Sequence, residues 1–125
     1  MNLWPAIFAL AAFVNFVVGG AMVVAPQSAA EAISGGADPA SVQFAGWLIV
    51  AFGIGYAMVA RAPAANRGIV WIGAVGKFGA VALTLWRLFT QGGYVPAQAI
   101  ALPLLDLAFV ALFVLFLWRG PRAAG

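Results

Sequence analysis

The chain has 125 residues, of which 66% are hydrophobic and 7% charged, with a net charge of +3. Soluble domains carry roughly 25% charged residues, so this surface is not made for water, and the length allows one domain at most. The chain has no Cys and no His, which excludes thiol chemistry, imidazole or thiolate metal sites and His-based catalysis. The basic residues are scattered and form no stripe for nucleic acid.

Four apolar stretches follow one another, each near the roughly 20 residues that cross a hydrocarbon core. The first runs about 3–24 and closes at Ala25-Pro26. It lacks a basic n-region and exceeds the ~7–15 apolar residues of a signal peptide, so it reads as a retained helix. The loop after it holds Ser28-Ala29-Ala30-Glu31 and then Gly35-Gly36. That is a capping-box spacing with a glycine stop, and it predicts a short interfacial helix capped by Ser28.

The second stretch runs about 39–60, with Asp38 as N-cap and Pro39 at the first helical position. The third runs about 69–89, with Asn66 as its cap and Gly92-Gly93 at its end. The fourth runs about 96–118, from Pro96 to Arg119-Gly120-Pro121. The fold expected is therefore all-α, a single integral membrane domain over residues 1–125: a four-transmembrane-helix bundle with a short interfacial helix in the first loop. No internal repeat is visible.

With four spans, the termini and the second loop share one side, which carries Arg61, Arg67, Arg119 and Arg122. The other side has Glu31 and Asp38, with Arg87 near it. The positive-inside rule then makes both termini cytoplasmic. Trp4, Trp86, Tyr94 and Trp118 stand near helix ends, as interfacial aromatics do.

Lys77 and Asp106 are the only formal charges deep within these stretches. A lone charge at mid-bilayer costs a few kcal/mol or more, so such residues pair, face a wet cavity or serve a mechanism. Their depths differ by about 4 Å at 1.5 Å of rise per residue. Asn15, Gly53, Gly55 and Tyr56 fall at the same level of the first two spans. Asn15, Tyr56, Lys77 and Asp106 together form the candidate buried polar site.

Small and polar residues share faces at helical spacing. The third span lines up Gly73, Gly76, Lys77, Ala80, Thr84 and Arg87, leaving Val70, Trp71, Phe78 and Leu85 elsewhere. The first aligns Ala11, Ala12, Asn15 and Gly19, and the second Gly46, Gly53, Ala57 and Ala60. Small residues let membrane helices approach closely, so these stripes should face inward, with Gly19, Gly53, Gly73 and Gly76 as packing positions. Pro103, three residues before Asp106, removes one N–H and disturbs the turn before it. Met22 and Met58 read as packing residues. Gly53-Ile54-Gly55 is too short for a dinucleotide fingerprint.

The run Gly53-Ile54-Gly55-Tyr56, the loop Ala60 to Arg67, Gly73-Ala74-Val75-Gly76-Lys77 and the acid Asp106 resemble small bacterial four-helix membrane proteins of the broad DoxX-like kind. The resemblance covers residues 53–106 and implies a four-helix bundle in the bacterial inner membrane. No motif in the chain carries over the quinone-linked sulfur oxidation of DoxX proper. Small multidrug resistance transporters share the length and helix count, but use a first-helix carboxylate where this chain has Asn15.

Two functions compete. In one, the chain is a non-catalytic accessory or assembly protein fastened by a Lys77–Asp106 pair. In the other it is a small proton-coupled transporter or a lipid- or quinone-binding protein with a midplane site. An enzyme would need Lys77 as base or nucleophile without any visible partner set. No cofactor is implied. The expected partners are the lipid bilayer and other membrane subunits or a second copy. A cavity beside Lys77 favours the binder; tight packing there favours the fastener.

Overall fold

A computed structural model describes residues 2–34, 37–92 and 97–125. The expected Gly35-Gly36 stop, Gly93, the interfacial Tyr94 and the helix-opening Pro96 lie outside the described residues. The fold is all-helical, with five helices in the order α1 (Trp4–Val24), α2 (Pro26–Ser34), α3 (Pro39–Arg61), α4 (Arg67–Gln91) and α5 (Ala97–Arg119). The helices α1, α3, α4 and most of α5 are long and apolar enough to cross a membrane. That is the architecture of a multi-pass membrane protein.

Helix ends follow local chemistry. Asp38 caps α3 as expected, accepting from the Ser41 backbone N–H at 3.0 Å and the Ser41 hydroxyl at 2.8 Å. Both bonds favour the ionised form, so the Asp38 carboxyl titrates below its ordinary value, the hydroxyl being the larger cause. Asn2, absent from the sequence reading, accepts from the Trp4 N–H and opens α1. Gly92 ends α4 with φ of +59°, a left-handed conformation that suits glycine.

Two expected caps are corrected. Helix α2 begins at Pro26, so Ser28 lies in its first turn and is not the cap. Proline has its φ preset and no N–H to orphan, which makes Pro26 the natural first residue. Asn66 precedes α4 but makes no side-chain bond to it. Its amide donates backwards at 3.0 Å to the carbonyls of Met58 and Ala62, closing α3, whose orphan acceptors it satisfies.

Inside, the bundle divides along its length. Toward the Arg67 end, all four long helices share an aromatic core: Phe8, Tyr56, Val59, Val70, Phe109, Phe113 and Phe116 are buried together. The Phe8 ring lies 5.1 Å from Phe113 and 5.0 Å from Phe116, stacked on the first and edge-on to the second. Toward the Asp38 end, α1 and α3 meet backbone to backbone. A Cβ on Gly19 would lie 2.7 Å from the Gly46 carbonyl oxygen, and one on Gly46 would lie 2.5 Å from the Met22 Cβ. Helix α2 closes over this pair through Ala30, which packs with Met22 and Val42, and it also meets α5.

The outer faces are apolar. Phe13, Trp47, Trp71, Phe78, Trp86, Phe89 and Trp118 are each at least 60% exposed, the inverse of a water-soluble surface and the surface that hydrocarbon favours. Met58 belongs to this outside rather than to the packing, whereas Met22 is buried as expected. Val70 is buried, and Gly76, Ala80 and Arg87 are exposed, all against the sequence reading. The inward stripe of α4 starts one turn earlier because Val70 fills the aromatic end, and beyond Gly73 it is only partly covered, with Lys77 and Thr84 half-buried.

Candidate functional site

The polar centre sits where the aromatic core ends. Asn15 on α1, Tyr56 on α3, Lys77 on α4 and Asp106 on α5 are brought together by the common depth of these positions. The Lys77 ammonium donates to Asp106 Oδ1 at 2.6 Å and to Asn15 Oδ1 at 3.4 Å. Asn15 in turn donates through its amide to the Ile49 carbonyl at 3.0 Å, which tethers the group to α3. Lys77 Nζ lies 5.7 Å from the centre of the Tyr56 ring and 5.4 Å from that of Phe109, within cation–π range.

The two charges are not equally enclosed. The Lys77 side chain is 10% exposed and that of Asp106 30%. The ammonium is therefore surrounded by carboxylate, amide and two aromatic faces, while the acid retains an open side. That open side faces a cleft of about 360 Å³.

All four long helices line the cleft: Asn15, Val18 and Met22 from α1; Leu48, Phe52 and Tyr56 from α3; Gly76, Lys77, Ala80 and Thr84 from α4; Leu102 and Asp106 from α5. From Gly73 to Thr84 it follows α4 for about 16 Å. Leu48 and Leu105, both on its lining, are 46% and 38% exposed, so the cleft opens to the apolar flank of the bundle. Its walls are mostly hydrocarbon, and Asn15, Tyr56, Lys77 and Asp106 gather at the end next to the aromatic core, with Thr84 toward the other. Small residues on α4 create this space.

The glycines divide into two kinds. At Gly53 a Cβ would meet Phe16 at 2.9 Å and Asn15 at 3.1 Å, and at Gly73 it would meet the Tyr56 ring at 2.7 Å. These two, with Gly19, mark close approaches. Gly76 does not: its Cβ would touch only the Phe52 ring, at 3.6 Å, an ordinary contact. Gly76 is wall rather than joint.

A second polar constellation, which the sequence reading treated only as loop charge, lies at the opposite end of the aromatic core. Arg67, the first residue of α4, donates to four carbonyls at the end of α5: Phe116 at 3.4 Å, Gly120 at 3.2 Å, Pro121 at 2.9 Å, and Leu117. Its guanidinium also lies 5.1 Å from the Phe116 ring centre. A cation on the orphan carbonyls of a helix end is favoured by both hydrogen bonding and the helix dipole. The available signal was an Arg at a helix start, which is the wrong end for its own helix dipole.

Among the described residues no buried side-chain nitrogen or oxygen lacks a partner. Comparison of the chain with protein families, with curated proteins and with solved structures finds no match.

Proposed function

We propose that the chain is an integral inner-membrane protein that binds a membrane-dissolved small molecule, of the lipid or quinone class, in the cleft beside Lys77 and Asp106. The observation that carries this reading is the coincidence of the cleft with the ion pair. A pair serving only as a fastener needs no space beside it, and a void there forfeits dispersion contacts. A 360 Å³ cleft falls within the ~300–1,000 Å³ of small-molecule sites, which are likewise mostly apolar with a few convergent polar groups.

The lateral opening supports entry from the lipid rather than from water. The ligand's apolar part would lie along α4 beside Ala80 and Thr84, and its polar head would reach the Lys77 end. The same pair still holds α1, α4 and α5 in register, so fastening and binding use one group. The excess of Arg at the Arg61–Arg67 end supports cytoplasmic termini.

Binding of a fluorescent acyl probe to the protein in lipid nanodiscs tests this, with wild type compared to Gly76→Leu. That side chain would fill the cleft from a position with no close neighbour, so the variant should fold and lose the probe. Equal binding by both would place the probe elsewhere and reject the cleft as the site. For orientation, cysteines at Ala64 and Ala37 should label from opposite sides of the membrane; labelling from one side would reject the four-span arrangement.

A further inference from the structure

The floor of the cleft offers a donor and an acceptor side by side. An ammonium has three N–H groups. Lys77 directs two of them at Asp106 and Asn15, leaving one. The Asp106 carboxylate accepts from Lys77 through Oδ1, and its second oxygen has no other polar partner among the described residues. Both residues line the cleft. Their charges sum to zero across a 2.6 Å contact, so an incoming group meets a compact dipole rather than a net charge.

Resting on the binding reading above, we propose that the ligand carries a neutral hydroxyl head on an apolar body, an aliphatic alcohol or a phenol. A hydroxyl oxygen accepts from Lys77 while its proton is donated to Asp106, so one atom uses both groups. A hydroxyl does this without bringing a net charge into the site. A carboxylate would gain Lys77 but confront the Asp106 oxygens, and it would leave the site with a net negative charge at a depth where charge is costly. An ammonium would meet Lys77 with the same difficulty. A ketone or ester has no proton for Asp106, and an alkane uses neither group. Asn15 is already held at both ends of its amide, with one N–H on the Ile49 carbonyl and its Oδ1 accepting from Lys77.

Displacement of the acyl probe from the wild-type protein in nanodiscs reads this directly, with each competitor scored by its mole fraction in the membrane. The competitors are tetradecanol, an alkylphenol, tetradecanoate, tetradecylamine and tetradecane, at about pH 9, where the acid and the amine are both charged. A hydroxyl competitor should displace at about tenfold lower mole fraction than the charged or plain chains, the factor expected from one hydrogen bond to a charged group. Comparing the alcohol with the phenol decides which source of hydroxyl fits. Asp106→Asn removes the acid's charge but keeps its shape; it leaves Lys77 unbalanced, so tetradecanoate should move from poor competitor to best.

Tetradecane or tetradecanoate competing as well as the alcohol in the wild type would overturn the head-group inference and leave the cleft standing as a binding site. A folded Asp106→Asn protein with an unchanged order would do the same. A probe that never binds, or that no competitor displaces, would overturn both.

Discussion

The two halves of this bundle solve the same packing problem in opposite ways. Toward the Arg67 end, bulky rings from α1, α3 and α5 fill the centre, and Phe8, Phe113 and Phe116 have no exposed surface. Toward the Asp38 end, glycines bring α1 and α3 into backbone contact, and α4 and α5 stand off across a cleft. Helix association in lipid gains little from hydrophobicity, because lipid tails are as apolar as the side chains. Packing and polar contacts must hold the helices, so where α4 and α5 stand off from the packed α1–α3 pair, Lys77, Asp106 and Asn15 make the link at the border. The contrast teaches that the loosely packed side of this bundle is the side with the polar clamp.

Removing half of that clamp should have the largest effect. Lys77→Met leaves Asp106 partly buried without its ammonium, which in soluble proteins costs about 3–5 kcal/mol. Pairing it with Asp106→Leu removes the orphaned charge and should recover much of the loss. Unfolding of the four proteins in detergent mixtures gives the coupling, and strictly additive losses would mean that the two residues do not support each other.

The glycines on α4 test the boundary between the halves next. Gly73→Ala drives a methyl into the Tyr56 ring and should destabilise by about 1–3 kcal/mol, the range for overpacking. Gly76→Ala, one turn on, adds a methyl to a cleft wall and should be neutral or stabilising by up to about 1 kcal/mol, since alanine is the better helix former. A similar loss at both positions would mean that the cleft is no looser than the core.

Arg67→Gln probes the aromatic half from its outer rim. Hydrogen bonds to charged groups contribute about 1.5–3 kcal/mol at most, and partial exposure reduces this. The expected result is faster amide exchange over residues 116–120, with the Lys77 region unchanged.

The smallest effect is at Asp38. Its carboxyl titrates below the ordinary aspartate value because the ionised form accepts from Ser41. A lowered folded value means that the cap's contribution is complete above the unfolded value and fades as pH falls through the folded one. Below that window Asp38→Ala and wild type should converge in thermal stability, and above it wild type should be the more stable. A gap that widened on acidification would contradict the sign.

Four apolar segments, their approximate ends and the similar depth of Lys77 and Asp106 were legible in the sequence, because span length and helical rise are local quantities. The α3 cap was legible for the same reason: Asp38 and Ser41 are three residues apart. What the periodicity of one helix could not reveal was which of its faces a neighbour fills. Gly76 and Gly73 look alike on a wheel, yet one meets a Tyr56 ring and the other a cleft. Val70 looks lipid-facing until Phe113 and Phe116 are placed beside it. Arg67 and Asn66 read as a loop charge and a helix start, whereas each satisfies carbonyls of a helix other than its own. By itself the sequence determined a membrane-spanning helical chain with one charge of each sign at mid-depth, since composition and spacing suffice for that. Only the tertiary structure decided that the charges border an open cleft, because the space between helices depends on where side chains from separate segments meet.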